Sequence, residues 1–225
     1  MKNWGTALLI LLVAASGARA EEHVRTILAI GDSTTAGTPG FRSPAEAPPN
    51  GTGNEESQYT YWAERNLSDV RFLNRGVNGE RTDQIFKRLP GDLKTFKPDM
   101  VIILAGVNDL YQQYPAEQIE EKLDRMYLFV QKQGIPLIVC SIIPYNGMSS
   151  YTYQRLREVN EWIHKRSREL GVGFCDLFSV MEDPARPSRL ITTSDGLHPD
   201  VGGYRRMGET VAECIKMLVL ISKAH

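Results

Sequence analysis

Four short stretches of this 225-residue sequence carry residues of the kinds that move acyl groups. In Ile30-Gly31-Asp32-Ser33-Thr34, a serine closes an apolar run, which would stand its hydroxyl at the mouth of a sheet where the next helix starts. A serine in such a turn commonly caps a helix, and Ser33 taken alone reads that way. As a nucleophile it would need a base, usually a histidine whose other ring nitrogen is held by a carboxylate. Of the 4 histidines, His23 lies near the start, His164 within an amphipathic segment and His225 at the end. His198 alone sits in a turn-rich stretch, Thr193-Ser194-Asp195-Gly196-Leu197-His198-Pro199, where the Asp195 carboxylate can reach its ring. Acyl transfer also needs donors aimed at the oxyanion of a tetrahedral intermediate. Asn74-Arg75-Gly76-Val77-Asn78-Gly79 and Gly106-Val107-Asn108-Asp109 are the stretches that offer them. Each of these clusters also reads as a plain turn. Their coincidence at successive strand ends is what favours the chemistry.

The elements that must position these residues are legible as alternating periods. Runs rich in branched apolar residues occur at Val24–Ile30, Val70–Leu73, Met100–Ala105, Pro136–Ile142 and Val172–Leu177, separated by longer segments of helical period. In Ala116–Gly134, Ile119, Leu123, Met126, Tyr127 and Val130 fall on one stripe, with the charged residues off it. Similar stripes run through Leu156, Val159 and Ile163, ended by Gly171, and through Tyr204, Met207, Val211 and Leu218. Nearly continuous apolar strands alternating with helices predict a parallel sheet covered on both faces, a three-layer α/β/α sandwich. Ligands in such folds bind beyond the carboxyl ends of the strands. Thr38–Ser57, with Pro39, Pro44, Pro48 and Pro49, breaks the alternation and reads as a long surface loop, either a lid or an insertion without a role. Tyr59, Tyr61 and Trp62 beside it read either as a wall of the binding site or as the core of the next helix.

With these blocks in place, the chain resembles an SGNH hydrolase of the GDSL esterase/lipase superfamily. Gly31-Asp32-Ser33 resembles the first block, Gly79 the glycine of the second, Gly106-Val107-Asn108-Asp109 the third and Asp195-Gly196-Leu197-His198-Pro199 the last. Thr34 stands where the family has leucine, and Gly76 is the competing match for the second-block glycine. The resemblance implies a five-stranded sheet in the flavodoxin-like order 2-1-3-4-5, no metal and no organic cofactor. It also implies Ser33, Asp195 and His198 as the catalytic residues, with an oxyanion hole formed by Ser33, Gly79 and Asn108. The expected activity is that of a serine esterase or thioesterase working through an acyl-enzyme on a small-molecule or glycan ester. The alternatives are a carbohydrate O-acetylesterase acting on acetylated glycans and a non-catalytic module that holds a small ligand. A phosphate loop at Gly31–Gly37 is disfavoured because it lacks the lysine of that motif.

Composition bounds the rest. Hydrophobic residues make up 42% and charged residues 24%, ordinary proportions for one globular domain. Residues 1–20 read as a signal peptide, with Lys2 before the apolar run Ala7–Ala15 and a small-x-small close at Ala18-Arg19-Ala20. The run is shorter than the roughly 20 apolar residues of a spanning helix, so the expectation is a single domain over 21–225, exported, with no integral membrane segment after cleavage. Loss of Lys2 and Arg19 takes the formal charge from -1 to -3, and the absence of Lys/Arg runs excludes nucleic acid as a partner. Cys140, Cys175 and Cys214 lie beside apolar residues and read as small core hydrophobes, with one disulfide plus a free thiol the other possibility.

Overall fold

Valine, isoleucine and leucine runs that alternate between two apolar faces must be covered twice, and this chain covers them with helices on both sides. The computed structural model describes residues 24–223; the expected signal peptide lies outside the described residues. The main sheet is built from β1 (Arg25–Gly31), β4 (Val70–Gly76), β5 (Met100–Leu104), β6 (Leu137–Cys140) and β7 (Gly173–Cys175). All neighbours are parallel, in the order β4-β1-β5-β6-β7. A small antiparallel ribbon, β2 (Phe41–Arg42) with β3 (Thr52–Gly53), comes between the first and second of these strands in the chain and shifts the numbering. With it set aside, the order is 2-1-3-4-5.

Alternate residues of each strand enter opposite cores. Leu28, Ile30, Val101, Ile103, Leu137 and Val139 pack with α3 (Thr82–Phe96), α5 (Ala116–Lys132) and α6 (Ser150–Leu170). Ile27, Ala29, Ile102, Ile138 and Cys140 pack with α2 (Tyr59–Arg65), α7 (Leu177–Met181) and α8 (Val201–Lys223). The expected stripe of α5 is buried, from Ile119 to Val130. Helix α6 starts where the Ser149 side chain accepts from the Thr152 N–H and stops at Gly171, whose φ of 65° is left-handed. Two short helices, α1 (Ser33–Ala36) and α4 (Val107–Tyr111), follow β1 and β5 directly.

Three details differ from the sequence reading. Strand β4 runs on through Asn74-Arg75-Gly76, held in its parallel ladder with residues 29–31 of β1, while the Asn74 amide nitrogen donates across the fold to Ala36 O at 3.3 Å and Gln58 Oε1 at 2.8 Å. The 38–57 segment is ordered by its ribbon and a 3-10 turn at Glu55–Ser57, with Phe41 and Ser43 buried. The cysteines are not all core hydrophobes: Cys175 and Cys214 form a disulfide with their Cα atoms 5.7 Å apart, and only Cys140 is free and buried.

Candidate active site

The segments that follow β1, β4 and β5, together with the turn before α8, deliver residues to a common cavity. Ser33 is the first residue of α1 and 4% exposed, held there because the Asp32 side chain caps the helix by accepting from the Thr34 N–H at 3.0 Å. Its hydroxyl is therefore not spent on the cap. The Ser33 Oγ lies 3.0 Å from His198 Nε2, and His198 Nδ1 lies 2.7 Å from Asp195 Oδ2. The other Asp195 oxygen accepts from the backbone N–H of Leu197 and of His198, each at 2.8 Å, which locks the carboxylate against the ring. Partial desolvation pushes the Asp195 carboxyl up, but the hydrogen bonds from the His198 ring and from these backbone groups outweigh it and hold it at about 2. An ionised Asp195 accepts from Nδ1–H, which assigns Nε2 as the acceptor facing the serine.

The expected oxyanion donors come from three loops. As the first helical residue, Ser33 has an N–H with no intrahelical acceptor. Gly79 stands in the turn after β4 with φ 77°, and its N–H meets no acceptor among the described residues. Asn108 Nδ2 donates to Glu80 O at 2.9 Å; an amide nitrogen has two hydrogens, so one remains for the cavity that Asn108 lines. Gly76, the competing match, is the last residue of β4 at close quarters with α1, where a Cβ would meet Ala36 N at 2.0 Å. It packs the strand end on the helix and belongs to the scaffold.

The cavity holds about 210 Å³, and Ser33, Asn78, Asn108 and His198 share its lining with Tyr111, Tyr145 and Leu197. Ser33, Asn108 and His198 are thus brought together around it; Asp195 stands behind the ring, and Gly79 neighbours the lining residue Asn78. Tyr59, Tyr61 and Trp62 are not among the lining residues; Tyr59 is fully buried, and Arg65 lies over the Tyr61 ring. The aromatic wall is instead Tyr111 against Tyr145, ring centroids 5.5 Å apart. Sequence reasoning missed both, although each follows the carboxyl end of a strand, β5 or β6, which is the available signal. It also missed that Asp32 is a buried acid. Burial pushes the Asp32 carboxyl up to about 7 against the hydrogen bonds from Thr34, and the charges of Asp109 and Glu80 add to the rise.

The model of the GDSL-like Lipase/Acylhydrolase family matches residues 29–206, most of the chain. This chain belongs to that family. Among the relatives of this GDSL-like acylhydrolase is an arylesterase from Vibrio mimicus, 26% identical over 152 residues, which are 64% of this chain and 70% of that protein. A member of the lipolytic protein G-D-S-L family from Veillonella parvula superposes with a TM-score of 0.70 at 18% identity, covering 84% of this chain and 97% of that one. Est24, a carbohydrate acetylesterase from Sinorhizobium meliloti, superposes with a TM-score of 0.69 at 20% identity, covering 86% of this chain and 99% of that one. The two structural likenesses speak for the fold. Membership speaks for the chemistry: the GDSL-like acylhydrolase described here is a serine hydrolase of ester bonds.

Proposed function

We propose that the chain is an exported serine esterase in which Ser33, His198 and Asp195 form the catalytic triad and Ser33, Gly79 and Asn108 the oxyanion hole. The observation that carries this reading is the unbroken chain from Ser33 Oγ through the His198 ring to Asp195, 3.0 Å and 2.7 Å long at its two links. In the reaction, Ser33 Oγ attacks the ester carbon as its proton passes to His198 Nε2, and Asp195 stabilises the imidazolium. The carbonyl oxygen becomes an anion facing the backbone N–H groups of Ser33 and Gly79 and the Asn108 amide. Collapse breaks the carbon–oxygen bond to the alcohol, which leaves with the proton from Nε2. Water then repeats the sequence on the acyl-enzyme and frees the acid and Ser33. A thiol leaving group fits the same steps.

A cavity of about 210 Å³ favours a short acyl group. The acetylated-glycan reading has one observation of its own: Tyr111, 59% exposed beside the cavity, offers a flat face to a sugar ring. That the structural neighbour Est24 is a carbohydrate acetylesterase points the same way. Export draws its support from the Cys175–Cys214 pair, a feature of oxidising compartments, and from the leader-like residues 1–20. Its check is amino-terminal sequencing of the protein recovered outside the cytoplasm, expected to begin near Glu21.

The test of the triad is a fluorophosphonate probe together with a short p-nitrophenyl ester. Wild type is expected to label stoichiometrically at Ser33. Ser33→Ala and His198→Ala are expected to lose about 10⁴-fold or more in turnover while melting like wild type. A folded Ser33→Ala protein with near wild-type turnover ends the reading. Comparing acetylated xylan with p-nitrophenyl esters of increasing acyl length separates the two substrate classes.

A further inference from the structure

Behind the cavity, the guanidinium of Arg88 on α3 is shared among three acceptors. Its Nε donates to Glu80 Oε2 at 2.7 Å, Nη1 to Asp92 Oδ2 at 2.9 Å and Nη2 to the backbone oxygen of Gly31 at 3.0 Å. The Arg88 and Glu80 side chains are 19% and 17% exposed. Each acceptor belongs to a different piece of the frame. Gly31 is the last residue of β1, just ahead of Asp32 and Ser33, and its oxygen also accepts from the Val77 N–H at 3.1 Å. Glu80 follows Gly79 in the turn after β4, and its backbone oxygen accepts from the Asn108 side-chain amide. Asp92 is also held by Arg75 at 2.9 Å, so it keeps a partner without Arg88. The far end of the same turn is pinned separately, where buried Asp109 accepts from the Thr82 N–H at 2.9 Å and from its hydroxyl at 2.7 Å.

We propose that Arg88, through Glu80 and Gly31, is the positioning residue that sets the oxyanion donors of three loops relative to one another. This rests on the reading of Ser33 as nucleophile given above. Arg88 is not among the residues lining the cavity, so it acts through others. A planar fork can serve three acceptors lying in different directions, whereas the point charge of lysine cannot do so with the same geometry. Without Arg88, Asp92 keeps Arg75 and Glu80 keeps partial access to water, and the melting temperature is read beside turnover to separate a loss of stability from a loss of alignment. Displacing reacting groups by about 1 Å is enough to cost on the order of 100-fold in rate.

The experiment uses the full chain with Arg88→Met, Arg88→Lys and Glu80→Leu, and with Asn108→Ala to set the scale of losing one donor. Four quantities are read: kcat and KM on a short p-nitrophenyl ester, inhibition by an alkylboronic acid, inhibition by the corresponding alcohol, and the melting temperature. The boron accepts a lone pair of Ser33 Oγ as the hydroxyl proton passes to His198 Nε2, giving a tetrahedral boronate anion, so its affinity reports the oxyanion donors; the alcohol reports ground-state binding. Arg88→Met is expected to lose about 10- to 100-fold in kcat with KM within about threefold, and boronate affinity is expected to fall in parallel. Alcohol inhibition and the acid limb of the pH profile stay as in wild type, since Arg88 does not touch His198. Arg88→Lys recovers only a small part of the loss, and Glu80→Leu, which keeps the backbone oxygen that holds Asn108 but leaves Arg88 Nε without its acceptor, follows Arg88→Met. The proposal is overturned if Arg88→Met keeps kcat within about threefold of wild type, or loses kcat while boronate affinity holds. Should Arg88→Met fail to fold, Glu80→Leu decides by the same criteria. Wild type labelled at Ser33 with Arg88→Met fully active sinks this inference alone; wild type unlabelled at Ser33 sinks the triad and this inference with it.

Discussion

Asp32 shows how much one residue at the site depends on its surroundings. It is 1% exposed, caps α1 through the Thr34 N–H, and is driven up to about 7 by burial. An unfolded aspartate titrates near 3.9, so between about pH 4 and 7 the native protein holds a proton that the unfolded chain has lost. Native binding of more protons means that stability falls as pH rises through this window and levels off above it. Asp195 has the opposite sign. Its carboxyl is held at about 2, so its contribution is complete above about pH 4 and is lost as pH drops toward 2. Asp32→Asn keeps an acceptor for Thr34 and removes the titration. Relative to that variant, wild type is expected to lose a few kcal/mol between pH 4 and 7, read from urea unfolding at pH 4, 5, 6, 7 and 8. Parallel profiles for the two proteins would show that Asp32 does not titrate there. None of this was legible in the sequence, where Asp32 is one letter of a motif and its burial comes from elements far along the chain. That Ser33, His198 and Asp195 come together was legible because a nucleophile, a base and an orienting acid would each have to be of one type, and few residues of those types sit at strand ends.

At the scale of the element, the two glycines after β4 separate packing from conformation. A Cβ on Gly76 would meet Ala36 N at 2.0 Å and Ala36 Cα at 2.6 Å, both backbone atoms that cannot turn aside. Gly76→Ala must therefore push α1 off β4 and carry Ser33 with it. At Gly79 a Cβ meets nothing within 4 Å, and the penalty is that of a left-handed φ of 77° alone, about 1–2 kcal/mol. Gly76→Ala is expected to cost about 3 kcal/mol or more and to abolish activity, as overpacking against backbone does. Chemical denaturation and turnover of both variants check the pair, and equal costs would contradict the packing argument. The strands and the long helices were readable because their apolar periods differ. The end of β4 was not, since Asn74 and Gly76 are turn-forming types and what keeps them extended is the ladder with β1, together with distant partners of the Asn74 amide. The 38–57 segment hid its role for the same reason. Its Ser43 hydroxyl donates to Gly76 O at 2.5 Å, and its Glu46 carboxylate accepts from the Asn78 N–H at 3.0 Å, so it braces the second loop of the site. Arg88 and Asp92, four residues apart on α3, look in sequence like a solvated helix pair. The fold turns them inward against the ends of β1 and β4.

For the whole molecule, the Cys175–Cys214 bond ties the edge strand β7 to the closing helix α8 across 39 residues. That enclosed stretch contains Asp195 and His198, so the turn that carries the proposed base is anchored at both ends to the sheet and its cover. Its pairing could not be read from the chain, because any two of three cysteines can pair and only the packing of α8 on the sheet selects this one. Closing a loop of this length removes freedom from the unfolded chain worth roughly 4 kcal/mol. Reduction, or Cys175→Ser with Cys214→Ser, is expected to lower stability by about that amount, a fall of several degrees in the midpoint of thermal unfolding. Turnover at 25 °C is expected to stay near wild type, because neither cysteine touches Ser33, His198 or the lining of the cavity. Cys140 supplies the internal control. Burial drives its thiol well above the ordinary range, so the native protein is expected to resist iodoacetamide, and the unfolded, unreduced protein to take up one equivalent. Three equivalents after unfolding without reductant would mean that the bond is absent, and with it the anchor on the turn of the base.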